Sequence, residues 1–160
     1  MKRTAKTKAT IPAYHAGYMK KIRDLFPKVN SVEDSNEGVI VTVTDHDGKV
    51  GKKNKFSECA LAVACQRELK ADGVIIGLTK SFLIYGTKAI RYQTPQSVAR
   101  EMTSFDRHGD FAAGVYKLSK IGVYDRIGVR RKTRPKSEPS KQHREIRFRH
   151  DTAGVRRVES

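Results

Sequence analysis

The sequence has no tryptophan, only two cysteines, and no apolar run long enough to span a membrane. A span needs about 20 consecutive apolar residues. Two cysteines cannot build a disulfide framework or a four-cysteine zinc site, which favours a reducing compartment. The basic start of the chain is not followed by the apolar stretch of a secretory signal. We therefore expect a soluble, cytoplasmic protein with no membrane span and no signal peptide.

Acidic residues are also scarce, because 33 lysines and arginines face only 17 carboxylates, for a net charge of +16. The excess lies at the two ends. Residues 1–28 hold eight cations and one carboxylate, residues 29–123 hold thirteen and eleven, and residues 124–160 hold twelve and five. The sequence pI is about 10.1, and a pI above about 9 is typical of proteins that bind nucleic acid.

This distribution predicts three segments. Residues 1–10 form a basic N-terminal arm, residues 11–123 a core domain, and residues 124–160 a basic tail that is disordered or ordered by a partner. The tail has few apolar residues and no sustained period, so burial would not offset the entropy of ordering it. A proline-containing linker divides the tail into a proximal patch, which can lie against the core, and a distal patch.

Hydrophobic periodicity predicts three helices in the core. The first runs from residue 12 to 26, with an apolar stripe of Tyr14, Tyr18, Ile22 and Leu25. The second runs from residue 56 to 69, with Ser57 as its N-cap. The third runs to about Arg107, with Thr94 as its cap and apolar residues at positions 98, 99, 102 and 105. Residues 45–55 are predicted to form a turn or a short helix.

Short β-branched and aromatic runs predict the strands. Residues 38–44 alternate most clearly, residues 74–78, 82–86 and 89–93 form a three-stranded meander, and residues 114–119 form a final strand. Residues 29–37 are expected to be a polar connection. The predicted fold is α+β: a small, mostly antiparallel sheet packed by two or three helices, with flexible basic arms at both ends.

Two clusters of carboxylates and imidazoles could hold a divalent ion for phosphodiester cleavage: Asp45, His46 and Asp47, and Asp106, His108 and Asp110. Their spacing matches no recognised nuclease motif. The simpler interpretation is helix capping and turn formation, with Thr44 or Asp45 as an N-cap. We therefore expect no catalytic residue, no metal and no cofactor, and keep a small metal-dependent nuclease as an alternative.

Two further features have a structural and a functional interpretation. Cys59, near a helix start, could be activated by the helix dipole, but in an alanine-rich helix a buried structural thiol is the better prediction. The segment GKVGKKNK at residues 48–55 has the composition of an anion-binding loop without the spacing of a Walker loop. A solvated turn and a phosphate contact both stay open for it.

The strongest functional signal is the basic ends. Arginine binds phosphate through its planar, bidentate fork, and an aromatic side chain among arginines can stack on a base. The predicted nucleic-acid-binding residues are Lys2, Arg3, Lys6, Lys8, Lys20, Lys21, Lys52, Lys53, Arg126, Arg130, Arg131, Lys132, Arg134, Arg144, Arg147, Phe148, Arg149, Arg156 and Arg157.

Parts of the core resemble small uncharacterised bacteriophage proteins. The motifs that carry the resemblance are VTVTD at residues 41–45, CALA at 59–62, RYQTPQSV at 91–98 and FD at 105–106. It covers about residues 39–118, and Ala60 stands where many of those proteins carry proline. The resemblance implies a viral or mobile-element origin and one α+β core, and it carries over no activity and no functional residue.

These observations predict a non-enzymatic protein that binds nucleic acid, DNA or RNA, largely without sequence preference, through phosphate contacts of its basic termini. The main alternative is a structural virion or assembly protein whose arms neutralise a packaged genome. In that case its partners would include other copies of itself or other virion proteins.

Overall fold

The computed structural model describes residues 13–129, with side chains from residue 17 onward. The predicted arm at residues 1–10 and the tail from residue 130 lie outside the described residues. Within these limits the chain forms, in order, α1 (Ala13–Leu25), β1 (Ser31–Asp34), β2 (Val39–Val43), α2 (Asp45–Val50), α3 (Ala60–Leu69), β3 (Gly73–Ile76), β4 (Lys80–Tyr85), β5 (Lys88–Gln93), α4 (Gln96–His108), β6 (Gly114–Leu118) and a 3-10 turn (Val123–Asp125).

The strands form two sheets. The larger has the order β1-β5-β4-β3, in which β3, β4 and β5 are the predicted antiparallel meander and β1 lies parallel to β5. The smaller pairs β2 with β6 antiparallel, with Val41 opposite Tyr116. A single bridge between Gln93 and Ser119 connects β5 to the residue that follows β6. The prediction of an α+β fold with mostly antiparallel strands is confirmed.

Side chains from alternate positions of the larger sheet enter two separate cores. Phe82 and Ile84 pack with Ile22 of α1, whereas Leu83 packs with Leu61 and other residues of α3 and α4. Because successive residues of a strand point to opposite faces, α1 covers one face of this sheet, and α3 and α4 cover the other. The small side chains Ala60, Ala62 and Ala64 are fully buried, as expected of a helix in close contact with a sheet.

Strand β1 was missed because its sequence, SVED, lacks an apolar period. The structure places it as an edge strand parallel to β5, where Asn30 and Ser31 donate backbone hydrogen bonds to the Thr87 carbonyl. The prediction of a polar connection over residues 29–37 was therefore wrong for residues 31–34. Tertiary pairing supplied the strand.

The starts of two helices were also predicted wrongly. Helix α3 begins at Ala60 with Cys59 at the cap position, not at Ser57, because residues 56–58 form turns. Helix α4 begins after Pro95, and the Thr94 hydroxyl forms a buried 2.7 Å hydrogen bond with that of Ser81 instead of capping the helix. A threonine before proline is an N-cap signal in sequence, but here the Thr94 hydroxyl is hydrogen-bonded to a buried serine of β4 instead of to the helix.

The apolar stripe predicted for α1 is confirmed at Tyr18 and Ile22, which contribute to the core, and is wrong at Leu25. Met19 and Ile22 are buried, whereas Leu25 is 51% exposed. Phe26, just after the helix, contributes to the core instead. In α4 burial is confirmed for Val98, Met102 and Phe105, whereas Ala99, also predicted to be buried, is only half-buried. None of the helices described here is long and apolar enough to cross a membrane.

Candidate nucleic-acid interface

Most of the predicted binding residues lie outside the described part of the chain. These are Lys2, Arg3, Lys6, Lys8, Arg130, Arg131, Lys132, Arg134, Arg144, Arg147, Phe148, Arg149, Arg156 and Arg157. Five are described: Lys20, Lys21, Lys52, Lys53 and Arg126. The first four are exposed and Arg126 is half-buried.

Lys20 and Lys21 lie on α1, whose opposite side packs on the sheet through Met19 and Ile22. Both lysines are exposed, and neither forms an ion pair with a residue that the structure describes. Nearby Arg23 donates a 3.3 Å hydrogen bond to the Val29 carbonyl. The polar side of α1 thus presents two lysines to solvent, which suits both a solvated face and a phosphate contact.

The basic loop after α2 is a structured turn. Lys52 pairs with the carboxylate of Glu58, while Asn54 adopts a left-handed backbone (φ 55°) and its N–H donates a 2.8 Å hydrogen bond to Asp106 Oδ1. The side chain of Lys53 lies over Gly109, since a Cβ built there would come within 2.5 Å of Lys53 Cε. The loop is therefore attached to the C-terminal end of α4.

The outer face of α4 borders an open groove of about 520 Å³. Its lining includes Gln96, Arg100, Thr103, Ser104 and Arg107. These residues recur every three to four positions, so they lie on one stripe, opposite the buried side of the helix. Arg100 and Arg107 are exposed, and neither is ion-paired within residues 17–129. From the sequence, α4 was predicted only to pack on the core, and its outer face was missed. The signal for this face was the repeat of arginine at positions i and i+7.

The cluster at residues 45–47 is a helix cap. Thr44 is the N-cap of α2: its Oγ1 accepts a 3.3 Å hydrogen bond from Asp47 N, and Asp47 Oδ2 accepts one of 2.8 Å from Thr44 N. Asp47 is buried, and Arg67 Nη2 lies 2.8 Å from its Oδ2. Burial alone would raise the pKa of Asp47, but hydrogen bonds from Arg67 and Thr44 outweigh it and hold the pKa below the ordinary value.

The second cluster does not assemble either. The carboxylate of Asp106 accepts a hydrogen bond from Asn54 N. His108 and Asp110 are exposed on either side of Gly109, whose left-handed backbone ends α4. Within the described residues, no group of three histidine, cysteine, aspartate or glutamate side chains is placed to hold a metal ion. The contacts of Asp47 and Asp106 agree with the capping and turn interpretation of both clusters.

Both cysteines are buried and unpaired with each other. Cys59 precedes α3, where a helix dipole would favour a thiolate, but burial raises the pKa of its thiol to about 11. Burial likewise raises the pKa of Cys65 to about 12. The geometry supports the interpretation of both as core residues.

A buried charged network holds the chain after β6 against the larger sheet. Arg91 of β5 is 2% exposed; its Nε donates a 2.6 Å hydrogen bond to Asp34 Oδ1 and its Nη2 one of 2.6 Å to the Asp125 carbonyl. The Ile127 N–H donates to Asp34 Oδ2 at 2.6 Å, and Arg126 Nη2 donates to Asn36 Oδ1 at 2.9 Å. Residues 124–129, assigned to the tail from sequence, thus contact the core.

This network was not found from sequence. Its only signal was an arginine, Arg91, at an inward position of the apolar strand AIRYQ. A charged side chain in such a run is almost never fully buried unless it is paired. The same network limits the role of Arg126 as a phosphate ligand, since its guanidinium is half-buried and bonded to Asn36.

The described residues thus define a small α+β domain with an exposed basic helix face and a basic loop attached to it. No family model, curated protein or solved structure matches the chain. The resemblance to small bacteriophage proteins accordingly stays a prediction.

Proposed function

We propose that the protein binds nucleic acid through phosphate contacts, largely without sequence preference. The observation that carries the proposal is the placement of charge: residues 130–160 hold eleven cations and four carboxylates, and residues 1–12 hold four cations and no carboxylate. Each phosphate neutralised by a lysine or arginine releases condensed counterions, which supplies affinity without reading base edges.

The contacts of the folded part support the same proposal. Five of its cations, Lys52, Arg67, Lys80, Lys88 and Arg91, are ion-paired with carboxylates of the domain. The exposed cations that remain without an ion pair among the described residues include Lys20, Lys21, Lys53, Arg100 and Arg107. The domain therefore compensates part of its own charge and leaves cations available at its surface.

The proposal is tested by comparing the full chain with a chain that ends at Val129. This end point keeps the hydrogen bonds of Asp125 and Ile127 to Arg91 and Asp34, which a chain ending at Val123 would lose. If about half of the removed cations contact phosphates, the slope of log K against log salt becomes shallower by roughly 4 to 5. Unchanged far-ultraviolet circular dichroism and thermal melting would establish that the shorter chain is folded.

The measurement is fluorescence anisotropy with labelled DNA and RNA between 50 and 200 mM salt. Equal affinities and equal salt slopes for the two chains would refute the role of residues 130–160. No binding by the full chain at 50 mM salt would refute the proposal itself. Light scattering on the same samples tests the assembly alternative, which requires a large closed oligomer instead of a monomer or small oligomer.

A further inference from the structure

The loop at residues 53–56 lies against the C-terminal end of α4, the helix whose outer face lines the groove. Asn54 is hydrogen-bonded to Asp106 of α4, and the Lys53 side chain lies over Gly109. At the other end of the loop, the Phe56 carbonyl accepts a 2.9 Å hydrogen bond from Ile76 N at the end of β3. The loop is therefore hydrogen-bonded to α4 near its C-terminal end and to the last residue of β3.

The cations of this region face solvent. Lys53, Lys55, Arg100 and Arg107 are exposed, and none forms an ion pair with another described residue. Three of the neighbouring carboxylates are engaged: Glu58 pairs with Lys52, Glu101 accepts a hydrogen bond from Ala112 N, and Asp106 accepts one from Asn54 N. The fourth neighbouring carboxylate, Asp110, follows Gly109; it is exposed and forms no hydrogen bond or ion pair with another described residue. Glu101 and Asp106 keep their charge, because their hydrogen bonds come from neutral backbone N–H groups. With Lys52 and Glu58 paired, four cations therefore stand against three carboxylates, and the region has a net charge of +1.

Two large apolar side chains are exposed next to these cations. Phe56 is 56% exposed and Leu78 is 52% exposed. Leu78 lines the groove beside Arg100 and Arg107. It lies in the turn after β3, two residues beyond Ile76, whose N–H donates a hydrogen bond to the Phe56 carbonyl. Cations around an exposed aromatic ring are the elements of a surface that binds single-stranded nucleic acid.

We propose that this surface, formed by Lys53, Lys55 and Phe56 of the loop, Leu78, and Arg100 and Arg107 of α4, binds a single-stranded segment of nucleic acid. The proposal rests on the proposed function and gives it a folded contact site. The arginines contact phosphates, Gln96 and Ser104 offer hydrogen bonds within the groove, and Phe56 stacks on a base. Stacking on Phe56 requires an unpaired base, so a single strand is favoured over a duplex.

The simpler explanation of the charges is incomplete. A cation in the last turn of a helix is stabilised by the helix dipole, and this accounts for Arg107. It does not account for Arg100, which lies in the middle of α4, or for the exposure of Phe56.

The charge contribution is tested in the full chain with the double variant Arg100→Gln/Arg107→Gln. The matched control is Lys117→Gln/Lys120→Gln, which removes the same charge from exposed positions outside the groove. The probe is a labelled oligothymidine of ~30 nucleotides. Two lost contacts to a single strand reduce the salt slope by about 1.4, so the loss of affinity between 50 and 200 mM salt becomes about 7-fold smaller than in the wild type. The control keeps the wild-type slope.

The stacking contribution is tested with Phe56→Ala. Because the ring is exposed, folding is expected to be unaffected, and circular dichroism checks this. Affinity for oligothymidine is expected to fall roughly fivefold or more, with an unchanged salt slope and no change for a duplex of the same length.

The outcomes separate this inference from the proposed function. If the wild type binds and both variants behave like the lysine control, the surface is not a binding site, and binding through the chain ends still stands. If the wild type prefers the duplex and Phe56→Ala has no effect, the assignment to single strands is overturned. If the wild type does not bind any oligonucleotide, the proposed function fails as well.

Discussion

The substitution Asp34→Ala is expected to destabilise the domain strongly, because it removes a carboxylate that is paired with the buried Arg91. Arg91 is 2% exposed, and its Nε lies 2.6 Å from Asp34 Oδ1. Removing one partner of a buried ion pair costs about 3–5 kcal/mol, since the remaining charge is desolvated and uncompensated. The second oxygen of Asp34 also accepts a hydrogen bond from Ile127 N, so residues 125–129 lose part of their attachment.

The measurement is urea unfolding followed by circular dichroism, since the chain has no tryptophan to report by fluorescence. With a denaturant slope of about 2 kcal/mol per molar, a loss of about 4 kcal/mol lowers the urea midpoint by about 2 M. Adjacent Glu33 provides the control, because its pair with Lys88 is exposed on both sides (58% and 47%). Glu33→Ala is therefore expected to cost less than about 1 kcal/mol.

A double variant distinguishes the cost of leaving one buried charge behind from the cost of losing the whole ion pair. Asp34→Ala/Arg91→Met removes both charges, and replacing a buried pair with apolar side chains is often close to neutral. The double variant should therefore be more stable than Asp34→Ala alone. If Asp34→Ala costs no more than Glu33→Ala, or if the double variant is the less stable of the two, the reasoning from burial is refuted.

Three further predictions concern the core and the cap. The folded-state pKa of Asp47 is lowered, so its contribution to stability is present above its unfolded pKa near 3.8 and is lost as the pH falls through the folded value. The difference in urea midpoint between the wild type and Asp47→Ala should accordingly shrink in acid, and a constant difference would contradict this. Cys59 and Cys65, with thiol pKa values of about 11 and 12, should react with an aromatic disulfide reagent at pH 8 only after unfolding; rapid reaction in the folded protein would contradict their burial. Gly51→Ala should destabilise by about 1–3 kcal/mol because the new Cβ would lie 2.5 Å from a backbone nitrogen of α3, whereas exposed Gly17→Ala in α1, with nothing within 4 Å, should stabilise by up to about 1 kcal/mol. Equal effects of the two glycine substitutions in thermal melting would refute the packing argument.

Secondary structure followed from the sequence wherever burial is periodic. Val39, Val41 and Val43 alternate with exposed residues along β2, and Val98, Met102 and Phe105 recur at helical spacing along α4. In both elements one face packs on the core, so the spacing of apolar residues within the element is enough to identify that face. β1 has no such face, because it is an edge strand held by β5 and by ion pairs of Glu33 and Asp34.

The candidate site was predictable only in part, because its residues come from elements that are far apart in the sequence. Sequence identified the basic loop and left open whether it was solvated or bound phosphate. It could not place the loop beside α4, because the bond from Asn54 to Asp106 joins residues 52 positions apart. Nor could it show that Arg100 and Arg107 line a groove with Leu78.

The amino-acid sequence was sufficient to predict the α+β class, the meander and the separation of a nearly neutral centre from two basic ends. These properties depend on composition and on periods of two to four residues, and both can be read from a short stretch of sequence. Two contacts could be seen only in the folded protein: Arg91 is buried on Asp34, 57 positions away, and the loop at residues 53–56 is hydrogen-bonded to the C-terminal end of α4. Those contacts depend on how distant segments pack, and no local pattern in either segment specifies its partner.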